Sequence, residues 1–350
     1  MGLFFYTKIG SIIFIGDLPT TNIIEPVFWY NEINIYWVGS GILRDNLKNL
    51  INRAIVKYTF PIIFTDEQGQ VTPINKSNLT TVGKDEYCFK GNDNDISKII
   101  YNGIVEFAEN EFKIDYDNLD REQTKVIKTK LKYNKNDCPQ TKLQYGFYGE
   151  VLLDLFLRNY FHTDVLIARG YFYSPLEKSE PKGFDAFHII DNKDGLELWF
   201  GEAKFHQSFT SGINSVLSKI NYSISDDYLD NHMFAIINEK DNISHSHPIF
   251  EGIIKRWENN PDLILIDELQ NNNIELVYPV FIAYQKQQTY DYEKSIASSV
   301  DKINRELGKY SLNLAIKIKV SIFVMLLPVD DSNKLKEEVI EWIETKEPLI

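Results

Sequence analysis

The stretch 183–204, G-F-D-A-F-H-I-I-D-N-K-D-G-L-E-L-W-F-G-E-A-K, constrains the fold of this chain more than any other. Ile, Leu and aromatic residues dominate 184–190 and 196–200, and Asp191, Asn192, Lys193, Asp194 and Gly195 between them are turn formers, which predicts a β-hairpin. Strand alternation then fixes what shares a face. Glu202 and Lys204 are two apart and point to one side of their strand, while Ala203 points away. A two-residue turn at Asp194-Gly195 sets Asp185 opposite Lys204; a loop from Asn192 to Gly195 sets it opposite Glu202. Either register keeps Asp185, Glu202 and Lys204 on one face, and only a slip by an odd number of residues would undo this.

Two carboxylates and an ammonium at the edge of an apolar sheet need a physical reason, because like charges repel and buried charges are costly without partners. A divalent cation supplies one. Oxygen ligands from Asp and Glu suit Mg²⁺, with Mn²⁺ as an alternative, and the ion retains waters and takes further ligands from a phosphate. The lysine then orients or deprotonates an attacking water and offsets charge on the phosphorus centre. The spacing D-(x16)-E-x-K resembles the PD-(D/E)xK phosphodiesterase motif. An E-x-K on a strand is by itself usually a solvated face. Here Leu198, Trp199, Phe200 and Phe205 surround it, which argues against simple solvation.

Charge sets a condition on such a reading. The 350-residue chain carries a net charge of -13, so its average surface repels DNA, and binding must come from a local basic patch or from a partner. The candidate patch is 121–142, where Lys125, Lys128, Lys130 and Lys132 interleave with Tyr133 and Tyr145; an ordinary solvated segment is the competing reading. The preceding stretch, 106–120, is strongly acidic. Two cysteines, Cys88 and Cys138, are too few for a disulfide framework and fit a reducing cytoplasm. The apolar start has no basic leader and contains Lys8, and the apolar run 320–329 contains Pro328 and is too short to span a membrane.

Along the chain, short apolar runs in 1–38 predict strands, followed by a helix over 44–58, a strand at 62–64, a turn at 66–69 and a helix over 96–112. Asn, Asp and Pro cluster in 134–140 and suggest a boundary, giving an N-terminal α+β region at 1–138, open to reading as a partner-docking module or as a lid, and an α/β domain at 139–350. A helix over 149–161 carries Glu150 in its first turn. Its carboxylate either complements the helix dipole or joins the metal cluster. A strand at 165–173, the hairpin, a helix at 210–225 and a strand at 233–238 complete the order α-β-β-β-α-β. That order is the restriction-endonuclease-like core, a mixed sheet with helices on both faces. Further on, the patterns predict helices at 248–258, 290–307 and 333–345 and strands at 274–284 and 314–327. Alternating Lys317 and Lys319 mark the last of these as an edge or half-exposed strand. His206, Gln207 and Ser208 follow the motif as weaker phosphate or water ligands, with a plain loop the stronger reading. His245 and His247 lack a third ligand at zinc spacing.

Three segments, G-F-Y-G-E-V-L-L-D-L-F-L at 146–157, K-G-F-D-A-F-H at 182–188 and L-W-F-G-E-A-K-F at 198–205, resemble the HamA family of the Hachiman antiphage system over roughly 140–345. The resemblance implies a DNase held by HamB, a superfamily 2 ATP-dependent helicase, with Glu150, Asp185, Glu202 and Lys204 in the nuclease positions and Phe184 in place of the motif's proline. It also implies a metal held by Asp185, Glu202 and Glu150. No Walker A sequence is present, which assigns any ATP-driven step to another protein. The competing class is a non-catalytic nuclease-fold module that regulates a helicase.

Overall fold

The computed structural model describes residues 43–59, 79–81, 86–90, 92–192, 195–243, 248–286, 298–299, 301–303, 305–306 and 316–350. The strands expected at 1–38 and 62–64, the turn at 66–69, His245 and His247 lie outside the described residues, as does most of the helix expected at 290–307.

In chain order the elements are α1 (Asp45–Ala54), β1 (Ile55–Thr59), β2 (Leu79–Thr81), β3 (Glu86–Lys90), α2 (Asp93–Ala108), α3 (Leu119–Thr129), α4 (Pro139–Lys142), α5 (Phe147–Phe161), β4 (Asp164–Val165), β5 (Ala186–Asn192) and β6 (Gly195–His206). Then follow α6 (Phe209–Leu217), α7 (Ile220–Ser223), α8 (Asp226–Asn238), α9 (Pro248–Asn259), α10 (Leu265–Asn271), β7 (Glu275–Gln285), β8 (Val320–Val329) and α11 (Ser332–Thr345). The strands form one mixed sheet in the order β1-β3-β8-β7-β6-β5-β4, with β2 also on β8. β4, β5 and β6 form an antiparallel meander, and β6, β7 and β8 run parallel.

Alternation along these strands separates two cores. On one face Phe187, Leu198, Phe200 and Ile282 pack against Ile213 of α6, Met233 of α8 and Phe250 of α9. On the other, Trp199, Ala203, Phe281 and Met325 meet Leu47 of α1, Ile104 of α2, Phe156 of α5 and Val339 of α11. Interior strands flanked by helices on both sides must be apolar on both faces, which is why β8 is buried from end to end. The expected boundary at 138/139 falls between α3 and α4 along the chain. The sheet and the second core draw on residues from both sides of it.

Several expectations are corrected. Residues 233–238 belong to α8, not to a strand; Ser225 caps that helix by accepting from Tyr228 N, and Tyr228, Leu229, Met233, Ile236 and Ile237 make its buried stripe. The strand that completes the core is β7. Residues 165–173 form only the short β4 and then a 3₁₀ turn, Arg169–Phe172. The helix predicted over 210–225 is two helices, α6 and α7. The one over 44–58 ends at Ala54 and passes straight into β1. The edge-strand reading of 314–327 fails, because β8 lies between β7 and β3, while Lys317 and Lys319 precede it and pair with Asp267 and Glu275 at 2.5 and 2.6 Å. Among the described residues no helix is long and apolar enough to cross a membrane.

Candidate active site

Residue pairing along the hairpin runs from Ala186 with Gly201 to Asn192 with Gly195. Asp185 precedes the first pair, and its N–H donates to Gly201 O at 2.7 Å, so the register sets it opposite Glu202. The Asp185 carboxylate turns back onto the partner strand. Its Oδ2 accepts the Ala203 N–H at 2.8 Å, which satisfies a backbone donor beyond the start of β5. Gly201 sits where β6 and Pro279 of β7 come close; a Cβ there would lie 2.7 Å from Pro279 Cγ.

Lys204 shares the face of Glu202. Its ammonium donates to the Glu202 carboxylate and to Ala203 O at 3.0 Å, and lies 4.0 Å from Asp185 Oδ2. All three side chains are largely buried, between 14% and 19% exposed. Burial, reinforced by the Asp185 charge, pushes the Glu202 carboxyl up to about 7 against the pull of Lys204. For Lys204 burial acts against the charged form, but Asp185 and Glu202 outweigh it and its pKa is raised. Tyr228 and Tyr278 lie on the same face, and burial followed by the Glu202 charge disfavours ionisation of both.

Glu150 arrives from the other layer. It belongs to the first turn of α5, yet it lines the same cleft as Asp185 and Lys204 at the sheet rim. α5 packs on β6 at Gly149, where a Cβ would make ordinary contact with the Ala203 Cβ at 3.5 Å. Glu150 is buried, its Oε2 has no hydrogen-bond partner, and burial together with Asp185 and Glu180 holds its pKa well above the usual carboxylate range. The cleft has a volume of about 730 Å³.

The donor chemistry suits a hard divalent cation. Among the described residues no three His, Cys, Asp or Glu groups are spaced to hold an ion as they stand, and Lys204 pairs with both motif carboxylates. Mg²⁺, however, requires only one or two carboxylates with waters and substrate phosphate. The orphaned Glu150 oxygen and the elevated Glu202 both mark a site short of positive charge.

The family model for HamA matches residues 57–343. The chain belongs to the HamA family. Membership makes it a component of a Hachiman defence system. No curated protein matches it. The HamA match begins well upstream of residue 140, where the motif resemblance in the sequence starts, and takes in β2, β3, α2 and α3.

Within this HamA chain the basic segment divides in two. Lys130 pairs with the buried Glu109 at 2.8 Å and sits 3.3 Å from the Tyr171 ring centroid; Lys125 pairs with Glu122 at 2.9 Å. Lys128 and Lys132 are exposed. Of the weaker candidates, Ser208 caps α6 by accepting from Ser211 N, His206 is half-buried, and both line the cleft with Gln207. Sequence reasoning missed Lys336. It projects from α11 into the cleft wall, and its signal was a lysine on the apolar stripe shared with Leu335, Val339 and Ile343.

Proposed function

We propose that this HamA chain is a metal-dependent DNA nuclease that hydrolyses phosphodiester bonds under the control of a HamB-like superfamily 2 helicase. The observation that carries the reading is the hairpin register, which sets Asp185 opposite Glu202 with Lys204 between them at the wall of a cleft. A structural ion pair would be served by one carboxylate. Two carboxylates around one lysine, with a third buried acid lining the same cleft, leave negative charge that a metal ion and a phosphate together neutralise.

Asp185, Glu202 and Glu150 would hold the Mg²⁺, with Mn²⁺ as an alternative, and the ion when bound supplies Lewis-acid polarisation of the phosphoryl group. The chain's own residues do the rest. The Ala203 N–H fixes the Asp185 carboxylate in orientation. Lys204 carries a proton at Nζ, orients the attacking water and offsets the charge that develops on the equatorial oxygens. Tyr228 and Tyr278 stay neutral and shield the carboxylates from solvent on the β6 face.

The absence of a Walker A sequence assigns nucleotide sensing to a partner, and the net charge of -13 favours DNA delivery by that partner. Plasmid degradation by the chain alone and with a HamB-like helicase, in Mg²⁺ and in EDTA, tests the proposal. Degradation that needs Mg²⁺ and is lost in Glu202→Gln supports it; metal-independent cleavage, or none from either preparation, contradicts it and favours a regulatory module.

A further inference from the structure

Lys336 is 7% exposed and belongs to α11, remote in sequence from the motif. Two of its three N–H groups are held by backbone carbonyls, Leu143 O at 3.1 Å and Phe205 O at 3.2 Å. Its ammonium also lies 4.6 Å from the Phe205 ring centroid and 5.4 Å from that of Tyr148. Among the described residues it has no acidic partner, although the chain as a whole is rich in carboxylates. Burial alone lowers its pKa to about 8.

A buried ammonium is costly unless something offsets it, and neutral carbonyls with two aromatic faces offset it only in part. Its position supplies the remainder. Lys336 lines the cleft that holds Glu150, Asp185 and Lys204, and the carbonyl that anchors it belongs to Phe205, the residue after Lys204. The same cleft receives Ser208 and Ser211 from the first turn of α6, whose dipole favours an anion there. The cleft is therefore lined by carboxylates, by a cation without an acidic partner and by a helix N-terminus.

Resting on the nuclease reading above, we infer that Lys336 is a substrate-binding residue that holds a backbone phosphate of the nucleic-acid strand next to the one at Lys204, fixing the strand's position in the cleft. Two carbonyls aim the side chain and leave its third N–H for the phosphate oxygen. A rigid, pre-aimed donor of this kind binds without paying to order a long side chain.

The test uses the full chain and its Lys336→Met and Lys336→Arg variants, with a short fluorescent duplex in EDTA so that nothing is cleaved, and anisotropy read across a salt series. Loss of one charge-assisted hydrogen bond should weaken binding by roughly tenfold in Lys336→Met. The slope of log K against log salt should become shallower by about 0.9. Lys336→Arg should bind close to the unsubstituted chain, and Lys336→Met should melt no lower than it does, since methionine removes a buried charge and keeps the stem. Unchanged affinity and slope in Lys336→Met would overturn the inference, as would equal losses in both variants accompanied by lower melting temperatures. Titration with inorganic phosphate separates the sources of the anion: Lys336-dependent binding of phosphate with no effect on duplex binding would also overturn it. If the chain binds duplex through Lys336 yet cleaves nothing in Mg²⁺, alone or with the helicase, the nuclease reading falls and this site stands. If it cleaves and Lys336→Met binds undiminished, the site falls and the nuclease reading stands.

Discussion

Asp185 Oδ2 accepts the Ala203 N–H at 2.8 Å, so one half of the motif is tied to the backbone of the other. The side chain thus has a structural duty separable from its charge. Asp185→Asn keeps an oxygen that accepts this hydrogen bond, and its stability should fall by less than about 0.5 kcal/mol. Asp185→Ala leaves the Ala203 N–H without an acceptor and should cost about 1–3 kcal/mol. Both variants should lose Mg²⁺ binding by calorimetry. Equal stability losses by urea unfolding would show that the bond contributes nothing.

Gly146 controls the third acid. A Cβ at this position would fall 2.3 Å from Glu150 Oε1, and since the Gly146 φ is -77°, alanine is otherwise tolerated there. Gly146→Ala should displace the Glu150 carboxylate while leaving α5 formed by circular dichroism. If Glu150 assists the metal, the substitution lowers plasmid cleavage by roughly tenfold, about the worth of one charged contact. In the Glu150→Gln background it should then have almost no further effect. Additive losses would mean that Gly146 acts elsewhere.

A second buried cluster makes a prediction about stability. Asp154 Oδ1 meets His188 Nε2 at 2.8 Å, its Oδ2 lies 3.0 Å from Arg158 Nε, and Thr163 Oγ1 meets His188 Nδ1 at 2.7 Å, all beneath the sheet. Asp154→Ala takes from Arg158 its more deeply buried carboxylate and leaves it Glu111 and the Glu106 carbonyl, so it should cost about 1–3 kcal/mol. Burial lowers the His188 pKa below its ordinary 6.5; for Asp154 burial acts the other way, but Arg158 and His188 overcome it and the pKa is lowered. With both folded-state values depressed, the unfolded chain binds more protons, so the stability of this cluster is complete above pH 6.5 and declines as pH falls below it. Glu150 and Glu202, raised in the folded chain, act with the opposite sign in the same range, so the cluster is read as the difference in urea-unfolding stability between the chain and its His188→Gln variant, which should shrink from pH 8 to pH 5. A difference that grows with acidity would contradict the assignment.

Sequence patterns were most informative where periodicity was strict. The period of two in 184–190 and 196–204 set the face and left two registers that differ by two residues, between which the turn decides, with Asn192 paired to Gly195. The helix carrying Glu150 was legible from Val151, Leu152, Leu155 and Phe156, but the room for its carboxylate in the cleft comes from Gly146, whose consequence appears only in three dimensions. The failure at 233–238 came from reading Met233 to Ile237 as a short apolar run without the Ser225 cap and the buried residues upstream. Lys317 and Lys319 were misread because their acidic partners, Asp267 and Glu275, are distant in sequence. Lys336 went unnoticed for the same reason, since the cleft that it lines is assembled from four separate segments.

The division of the basic segment leads to a further test. Lys130→Ala removes one partner of buried Glu109, which keeps Tyr171 and the Asn110 N–H, and should destabilise the fold by about 1–3 kcal/mol. Lys128→Ala with Lys132→Ala should leave stability within about 0.5 kcal/mol. If the strip meets DNA, that pair makes the contact, and the salt dependence of duplex binding should flatten by up to about 1.8, two phosphate contacts' worth. An unchanged slope assigns the segment to solvent or to the helicase.

The measurement that bears most directly on the central claim is plasmid cleavage by the purified chain with the proposed HamB-like helicase, with Mg²⁺ present or withheld, comparing the unsubstituted protein with Glu202→Gln and Lys204→Met. Glu202→Gln preserves the size of the side chain and removes its charge. The account predicts cleavage that requires Mg²⁺, falls by at least a hundredfold in both variants, and is accompanied by loss of Mg²⁺ binding in Glu202→Gln but not in Lys204→Met. Cleavage that persists in Glu202→Gln, or a complex that never cleaves any DNA offered with Mg²⁺ and ATP, would contradict it.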